Sequence, residues 1–246
     1  QSVSVSCPII AMYGDPTYWE NVARASGVSL TPINTIVYRP NCEMFNPYGI
    51  PGFDAQVDLA AQVMFAYNED FLYVLFLVQD ESFVSYRGRD NLIFLGDAPQ
   101  LLFDADLVGD FETSFNNQDD IQLDLHPGYA DRSGDDVGLG YFLYSPRAAF
   151  WQLRDLDQLG AGASRAAGEV ILASWLTFDG YGVEAAIPWS LLGVSGKPGE
   201  VFGVAASVSD NDNLERDEQQ CMISSAPGRD FRNPTTWGTL FLMALP

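Results

Sequence analysis

One acidic segment of the chain carries residue types and a spacing that suit a calcium ion. Asp104, Asp106 and Asp110 lie within seven consecutive positions, and Asp120 follows shortly after them. Ca²⁺ takes about six to eight hard oxygen ligands, and carboxylates crowded together without a cation repel one another. The spacing therefore predicts that these four aspartates bind Ca²⁺, although it lacks the full EF-hand pattern. The alternative interpretation is a solvated acidic loop.

A second acidic segment runs from Asp210 to Asn213, with Asp217 a few residues later. Its carboxylates could hold another cation. Its Asp and Asn side chains could equally form a turn by bonding to their own backbone. The sequence leaves both interpretations open.

Residues for enzymatic catalysis are harder to find. His126 is the only histidine, and no Cys–His or Gly-x-Ser-x-Gly arrangement is present. Carboxylates are plentiful, but their positions single out no pair of the kind that glycosidases use. We therefore expect the protein not to be an enzyme.

Three cysteines are too few for a disulfide framework. Cys7 and Cys42 lie in the same N-terminal segment, and a disulfide between them would stabilise the fold by roughly 3–4 kcal/mol. We predict this pair, which leaves Cys221 over. The alternative is three unpaired thiols.

The net charge of −21 limits the partners, because 33 acidic residues face only 12 Lys and Arg. Nucleic acid and anionic membranes both require basic residues, so neither is an expected partner. No run of about 18 apolar residues exists, which argues against a membrane span. The chain begins at Gln1 rather than Met, as a secreted protein does after its signal peptide is removed, or as a trimmed chain would. We expect a secreted, extracellular protein.

Short strand patterns dominate the chain from residue 55 onwards. They are separated by connections rich in Gly, Asp and Pro, which is typical of an all-β sandwich or jelly roll. We predict a single sandwich of antiparallel strands over residues 55–246, and an irregular extension over residues 1–54 that packs on it. Short helical segments are expected at residues 15–24 and 188–193. The predicted strands cover residues 63–67, 71–78, 101–104, 121–125, 139–144, 170–176, 181–187, 201–208 and 236–243.

Four motifs follow one another in a characteristic order. They are Phe-Leu-Tyr-Val at 71–74 before Asp80, Gly-Asp at 96–97 leading to Asp104, Glu-Ala-Ala-Ile-Pro-Trp at 184–189, and Pro-Thr-Thr-Trp-Gly at 234–238. Together they resemble the family 9 carbohydrate-binding modules and their DOMON-like relatives. The resemblance implies a non-catalytic β-sandwich that holds glycans between aromatic rings and often contains structural calcium.

Under this resemblance, Trp189 and Trp237 belong to framework motifs, and we expect both in the core. Trp151 and Trp175 are then the candidates for stacking on a sugar, with Trp19 as a further free ring. Trp151 lies in an irregular region, whereas the strand pattern around Trp175 is also compatible with burial. For each ring, packing in the core is the alternative.

Three functions remain in competition. The leading hypothesis is a secreted, non-catalytic protein that binds a glycan and contains structural calcium. The second is a structural subunit of an extracellular assembly, in which residues 1–54 dock a protein neighbour. The third follows from the haem-binding relatives of this fold and would use His126 and Met64 as ligands.

Overall fold

Two β-sheets pack face to face. The computed structural model describes residues 2–5, 31–33, 35–38, 59–88, 92–130, 136–137, 140–144, 152–155 and 170–243. The strands are numbered β1 to β16 in chain order.

The larger sheet has nine strands, and its neighbours are antiparallel except for the parallel pair β1–β16. The path through seven of them is β1 (Ser2–Val5), β16 (Gly238–Leu242), β14 (Val201–Asp210), β6 (Ala98–Asp104), β7 (Asp120–His126), β10 (Gly140–Tyr144) and β11 (Gln152–Asp155). Residues 207–210 of β14 also pair with β15 (Cys221–Ser224), and β15 in turn pairs with β3 (Thr35–Tyr38).

The smaller sheet has five antiparallel strands. Their order is β12 (Ile171–Leu176), β13 (Gly180–Pro188), β5 (Phe71–Asp80), β4 (Leu59–Tyr67) and β2 (Thr31–Ile33). A separate two-stranded ribbon consists of β8 (Tyr129–Ala130) and β9 (Asp136–Val137).

The core lies between the two sheets and is continuous across them. A chain of aromatic rings shows which side chains point inward. Tyr67 on β4 meets Trp189 with ring centres 6.4 Å apart, Trp189 meets Phe202 on β14 at 5.8 Å, and Phe202 meets Phe103 on β6 at 5.0 Å. Because side chains alternate along a strand, every second residue from these positions also faces the core. Burying each such ring contributes roughly 1.5–3 kcal/mol.

Trp189 opens the one short α-helix of the described residues, α1 (Trp189–Leu192). The helix ends at Gly193, whose φ of 76° is left-handed and favours glycine. The indole N–H of Trp189 donates to the carbonyl of Asn68 at 2.9 Å, and the ring is 2% exposed. Two 3₁₀ turns, Ile93–Leu95 and Pro234–Thr236, complete the helical content of the part of the chain described.

The predicted all-β sandwich is confirmed, as is the short helix in residues 188–193. The three described stretches within residues 1–54 are strands that join both sheets, rather than irregular segments. The predicted helix over residues 15–24 lies outside the described residues, and the division at residue 54 stays a prediction. Within the described ranges, no helix has the length and apolar character needed to cross a membrane.

Candidate functional site

The outer face of the larger sheet carries a row of polar side chains. On β6, Leu101 and Phe103 point to the core, so Gln100 and Asp104 point outward. The strand register places Gln100 opposite Asp124 on β7, and Asp104 opposite Asp120. Polar residues of neighbouring strands therefore lie side by side on this face.

Asp124 is the centre of this polar row. Its carboxylate accepts hydrogen bonds from the amide nitrogens of Gln100 and Gln122, the latter at 3.0 and 3.2 Å. Burial raises the pKa of Asp124 to about 6, against the opposing effects of these hydrogen bonds and of the charge on Arg229. Burial likewise lowers the pKa of Arg229 to about 10, opposed by the charges of Asp124 and Asp230. Asp124 thus holds both amides in place and faces a guanidinium.

Two buried polar atoms of this group have spare hydrogen-bonding capacity. Among the residues that the structure describes, neither Oε1 of Gln100 nor Nε of Arg229 has a hydrogen-bond partner. Leaving such an atom unsatisfied costs about 1–3 kcal/mol. Both atoms are buried, so this unused hydrogen-bonding capacity lies beneath the surface of the polar row.

Aromatic rings flank Gln122 on two sides. Trp237 is half-buried and packs on Leu102, the β6 residue that pairs with Gln122. Tyr144 on β10 is also half-buried and pairs with Gln122 from the other side. Adjacent strands are about 4.8 Å apart. Tyr144 therefore lies one strand away from Gln122, and Trp237 packs on Leu102, which is also one strand away from Gln122. The indole N–H of Trp237 donates to the carbonyl of Asp230 at 2.9 Å, which fixes the ring.

The structure confirms the predicted position of one tryptophan and contradicts that of another. Trp189 is in the core, as predicted. The expectation that Trp237 lies in the core is wrong, because it packs with Leu102, Ala205 and Ala226 on the outer face. Trp151 and Trp19 lie outside the described residues.

Trp175 lies on β12, at the edge of the smaller sheet, and is half-buried. Its ring lies against Gly182 on β13, where a β-carbon would come within 2.3 Å of the indole. The ring packs partly against the core residues. Its role in ligand binding stays a prediction.

The predicted calcium loop brings some of its aspartates together. Oxygen atoms of Asp104, Asp110 and Asp119 lie within 4.8 Å of one another. Asp106 is exposed and instead accepts a hydrogen bond from the backbone N–H of Gly109 at 3.0 Å. Asp120 is buried beside Asp104 and accepts from the backbone N–H of Asn117 at 2.7 Å.

Burial and the neighbouring negative charges both raise the pKa values of two aspartates of this loop. Burial raises the pKa of Asp104 to about 7, and the charges of Asp110, Asp120 and Asp119 add to the effect. Burial also raises the pKa of Asp120 to about 6, with the charges of Asp119 and Asp110 contributing. A cation would relieve this repulsion.

A second acidic cluster lies inside the sandwich. Oxygen atoms of Asp80, Asp97 and Asp210 lie within 4.8 Å of one another, and all three residues are buried. Asp80 ends β5 in the smaller sheet, whereas Asp210 ends β14 in the larger sheet. Asp217, considered with Asp210 from the sequence, forms an ion pair with Arg87 at 2.9 Å instead. The motifs at Asp80 and at 96–97 contained two of these residues, but their spacing in the sequence gave no sign that they meet.

The proposed haem ligands do not face each other. The Nε2 of His126 lies 2.7 Å from the carbonyl of Tyr86, and its Nδ1 accepts from the backbone N–H of Gly128 at 3.1 Å. Both ring nitrogens are therefore engaged. Since Tyr67 points inward, alternation turns Met64 to the outer face of the smaller sheet, whereas His126 is on the outer face of the larger one. The haem hypothesis is not supported by this arrangement.

Cys221 begins β15, is buried and takes part in a disulfide. The predicted pair of Cys7 and Cys42 lies outside the described residues.

Comparison with known proteins agrees with this architecture. The family described as "Carbohydrate family 9 binding domain-like" matches residues 50–245. No curated protein matches the chain.

Among solved structures, the chain is similar to a family 9 carbohydrate-binding module from Caldicellulosiruptor kristjanssonii. In complex with cellotriose, that module has a TM-score of 0.60 and 17% identity, over 99% of this chain and 94% of that one. In complex with glucose, the TM-score is 0.60 and the identity 16%, over 99% and 96%.

The fold is that of a family 9 carbohydrate-binding-module-like β-sandwich. The chain belongs to the carbohydrate family 9 binding domain-like family.

Proposed function

We propose that this protein is a non-catalytic carbohydrate-binding protein that holds a neutral saccharide on the outer face of the larger sheet. Gln122, Arg229 and Trp237 are the proposed contact residues. The observation that supports this most is the pair of hydrogen bonds by which Asp124 orients the partly exposed Gln122, on the same face as the partly exposed ring of Trp237.

The chemistry of these side chains suits a sugar. A neutral saccharide offers hydroxyl groups and apolar C–H faces, so it requires oriented polar groups beside an aromatic ring. Asp124 accepts both hydrogen bonds from the amide nitrogen of Gln122, which fixes the amide in one orientation. Gln122, Arg229 and Trp237 are all partly exposed, whereas Asp124 is 1% exposed beneath them. Asp124 therefore positions the contact residues, and a ligand would touch the partly exposed ones.

The structurally similar module was solved with cellotriose and with glucose. We therefore propose glucose-based oligosaccharides as the first ligands to try. Calorimetric titration of the intact protein with cellotriose and glucose tests the proposal. Saturable binding at millimolar or lower concentration supports it. If neither sugar binds, nor any member of a panel of neutral oligosaccharides at millimolar concentration, the proposal fails.

We further propose that the loop cluster of Asp104, Asp110 and Asp119 holds a structural Ca²⁺. Three carboxylates converge there, and a hard cation prefers such oxygen ligands. Neighbouring Asp120 helps to shape the loop through its bond to Asn117. The ion would order the loop that follows β6, at one end of the polar face.

Secretion is proposed on the basis of Cys221. Disulfides form and persist in oxidising compartments, and Cys221 takes part in one. A free-thiol count of the protein from its native source tests this, since a fully reduced protein would contradict it.

A role in an assembly is the second candidate, because exposed phenyl rings cluster on two connected loops. Phe111, Phe115 and Phe231 are 69%, 67% and 43% exposed. Asn116 ties the loops together, since its backbone N–H donates to Arg232 O and its amide to Phe231 O, both at 3.0 Å. Exposed apolar patches of this kind mark interaction surfaces. This candidate fails if sedimentation shows only monomer and if the protein binds no partner protein in the absence of saccharide.

A further inference from the structure

We propose that two loops at one end of the larger sheet bind a segment of a partner protein that is both basic and apolar. The binding surface consists of Phe111 and Phe115, in the loop after β6, and Phe231, in the connection between β15 and β16. These three residues are called the phenylalanine patch. The inference rests on the second candidate function, a role in an assembly, and adds the chemistry of the partner. It uses none of the residues proposed to contact a saccharide.

The phenylalanine patch presents apolar surface to solvent. Phe111, Phe115 and Phe231 are 69%, 67% and 43% exposed, and Val108, in the same loop as Phe111, is 81% exposed. Single exposed apolar side chains are ordinary on a protein surface, whereas several close together mark an interaction site. The grouping of these side chains on two connected loops therefore indicates a docking surface.

The two loops are ordered by their own hydrogen bonds. The backbone N–H of Gly109 donates to the carbonyl of Asp106 at 2.9 Å, and that of Arg232 donates to the carboxylate of Asp230 at 2.9 Å. Asn116 joins one loop to the other. A surface that is ordered before binding loses less conformational entropy when a partner docks. The patch is therefore suited to bind without a prior rearrangement of its backbone.

The charge around the patch favours a basic partner. Residues 105–119 and 227–233 contain five acidic residues and two arginines. Asp106, Glu112 and Asp230 are exposed and lie outside the loop cluster of aspartates, so an ion in that cluster would not bind to them. A second copy of this chain would bring the same acidic loops and a net charge of −21, and like charges in an interface cost free energy. The occupant is therefore a basic segment of another protein rather than a second copy.

One cation already lies on the patch. The guanidinium carbon of Arg232 is 4.9 Å from the ring centre of Phe231, within the range of a cation–π interaction. The exposed rings of Phe111 and Phe115 offer the same chemistry to an arginine or lysine from outside. Arginine and aromatic residues are both enriched in protein interfaces. The partner segment therefore combines basic side chains with apolar ones.

A fluorescence-anisotropy titration of the full chain with a short labelled peptide of alternating Leu and Arg tests the proposal. The double variant Phe111→Ser/Phe115→Ser should bind this peptide about tenfold more weakly or worse. Phe178→Ser, which removes a fully exposed ring in the turn between β12 and β13, should bind it normally. A peptide of alternating Leu and Glu should not bind. The proposal is wrong if the Leu–Arg peptide fails to bind at micromolar concentration, if both peptides bind equally, or if the double variant keeps full affinity.

A charge reversal separates the local charge from the charge of the whole protein. Glu112→Lys changes the loop that carries Phe111 and Phe115. Glu215→Lys is the matched control, because Glu215 is also exposed but follows the opposite end of β14 from the one that pairs with the end of β6. Both variants change the net charge equally. Glu112→Lys should weaken binding of the Leu–Arg peptide several-fold more than Glu215→Lys, and equal effects would overturn the proposal as unspecific attraction.

Cellotriose titration of the same proteins distinguishes this proposal from the saccharide function. The double variant Phe111→Ser/Phe115→Ser should bind cellotriose as the unmodified protein does. If the unmodified protein binds the Leu–Arg peptide but no saccharide, the docking proposal is supported and the saccharide function fails, and the converse result has the converse meaning. Loss of cellotriose binding in the folded double variant would assign the patch to the sugar and overturn its role as a protein-docking surface.

Discussion

Asp97 directly precedes strand β6 and Asp104 ends it, and the two side chains point to opposite faces of the larger sheet. Asp97 faces the core, where it meets Asp80 and Asp210, whereas Asp104 faces outward, where it meets Asp110 and Asp119. Their separation of seven positions is odd, and side chains alternate along a strand, so opposite faces follow from the spacing itself. One strand therefore supports two separate acidic clusters.

Removing Ca²⁺ from the loop cluster should lower the stability of the protein. At a free Ca²⁺ concentration about 100 times the dissociation constant, the ion contributes roughly 2.7 kcal/mol. Chelation should therefore lower the melting temperature by several degrees. Asp104→Asn should reduce this chelator effect, whereas Asp106→Asn should leave it intact, because Asp106 is exposed and outside the cluster. Equal chelator effects in the two variants would argue against the loop ion.

Stability in the presence of chelator should fall as pH rises through the pKa of Asp124. Its pKa is raised from 3.8 to about 6, so the folded protein binds this proton more tightly than the unfolded chain. The contribution of Asp124 to the free energy of unfolding is therefore fully present below about pH 4 and is lost as the pH rises through about 6. The raised pKa corresponds to about 3 kcal/mol for this group.

Urea unfolding at pH 4.5 and pH 7.5 measures this dependence. The Asp124→Asn variant lacks the titrating group but retains an oxygen acceptor for Gln122, so its stability should change less with pH. Identical pH dependence in the variant and the unmodified protein would show that Asp124 does not titrate as described. Asp104 and Asp120, whose pKa values are also raised, add a background that is common to both proteins.

Replacing Gly196 by Ala should destabilise the fold. Its φ is +54°, and a β-carbon there would come within 2.0 Å of the buried ring of Trp189. Strain and overpacking of this kind typically cost about 1–3 kcal/mol. Gly228→Ala is the matched control, because a β-carbon at that position has open space. Comparing the two variants by thermal unfolding checks the prediction, and equal melting temperatures would refute it.

Local pattern was enough to predict the sandwich. Alternation on β7 separates Ile121, Leu123 and Leu125 from their polar neighbours, and the turn residues around Gly193 mark the end of the short helix. Local pattern does not predict contacts between strands that are far apart in the sequence. Asp80 and Asp210 are 130 positions apart and meet only because their strands end at the same edge of the core.

Trp237 shows the same limit for the candidate site. Its motif indicated a framework residue, and the motif alone cannot say on which side of the sheet the ring packs. That side is set by the connection from β15 to β16, which places Ala226 and Trp237 over Leu102 and Ala205 on the outer face. Gln122 and Arg229 were missed because a single glutamine or arginine carries no recognisable spacing.

The most direct test of the account is a calorimetric titration with cellotriose of the Trp237→Ala variant beside the Phe178→Ala control. Phe178 is fully exposed in the turn between β12 and β13 of the smaller sheet, away from the polar face. Loss of a stacking ring should cost about 1–1.5 kcal/mol, so Trp237→Ala should bind roughly five- to tenfold more weakly, while Phe178→Ala binds normally. Gln122→Ala should also weaken binding. Trp175→Ala tests the alternative, in which the sugar stacks on Trp175 of β12 instead. Unchanged affinity in both Trp237→Ala and Gln122→Ala, with both variants folded, would contradict a saccharide site on the outer face of the larger sheet.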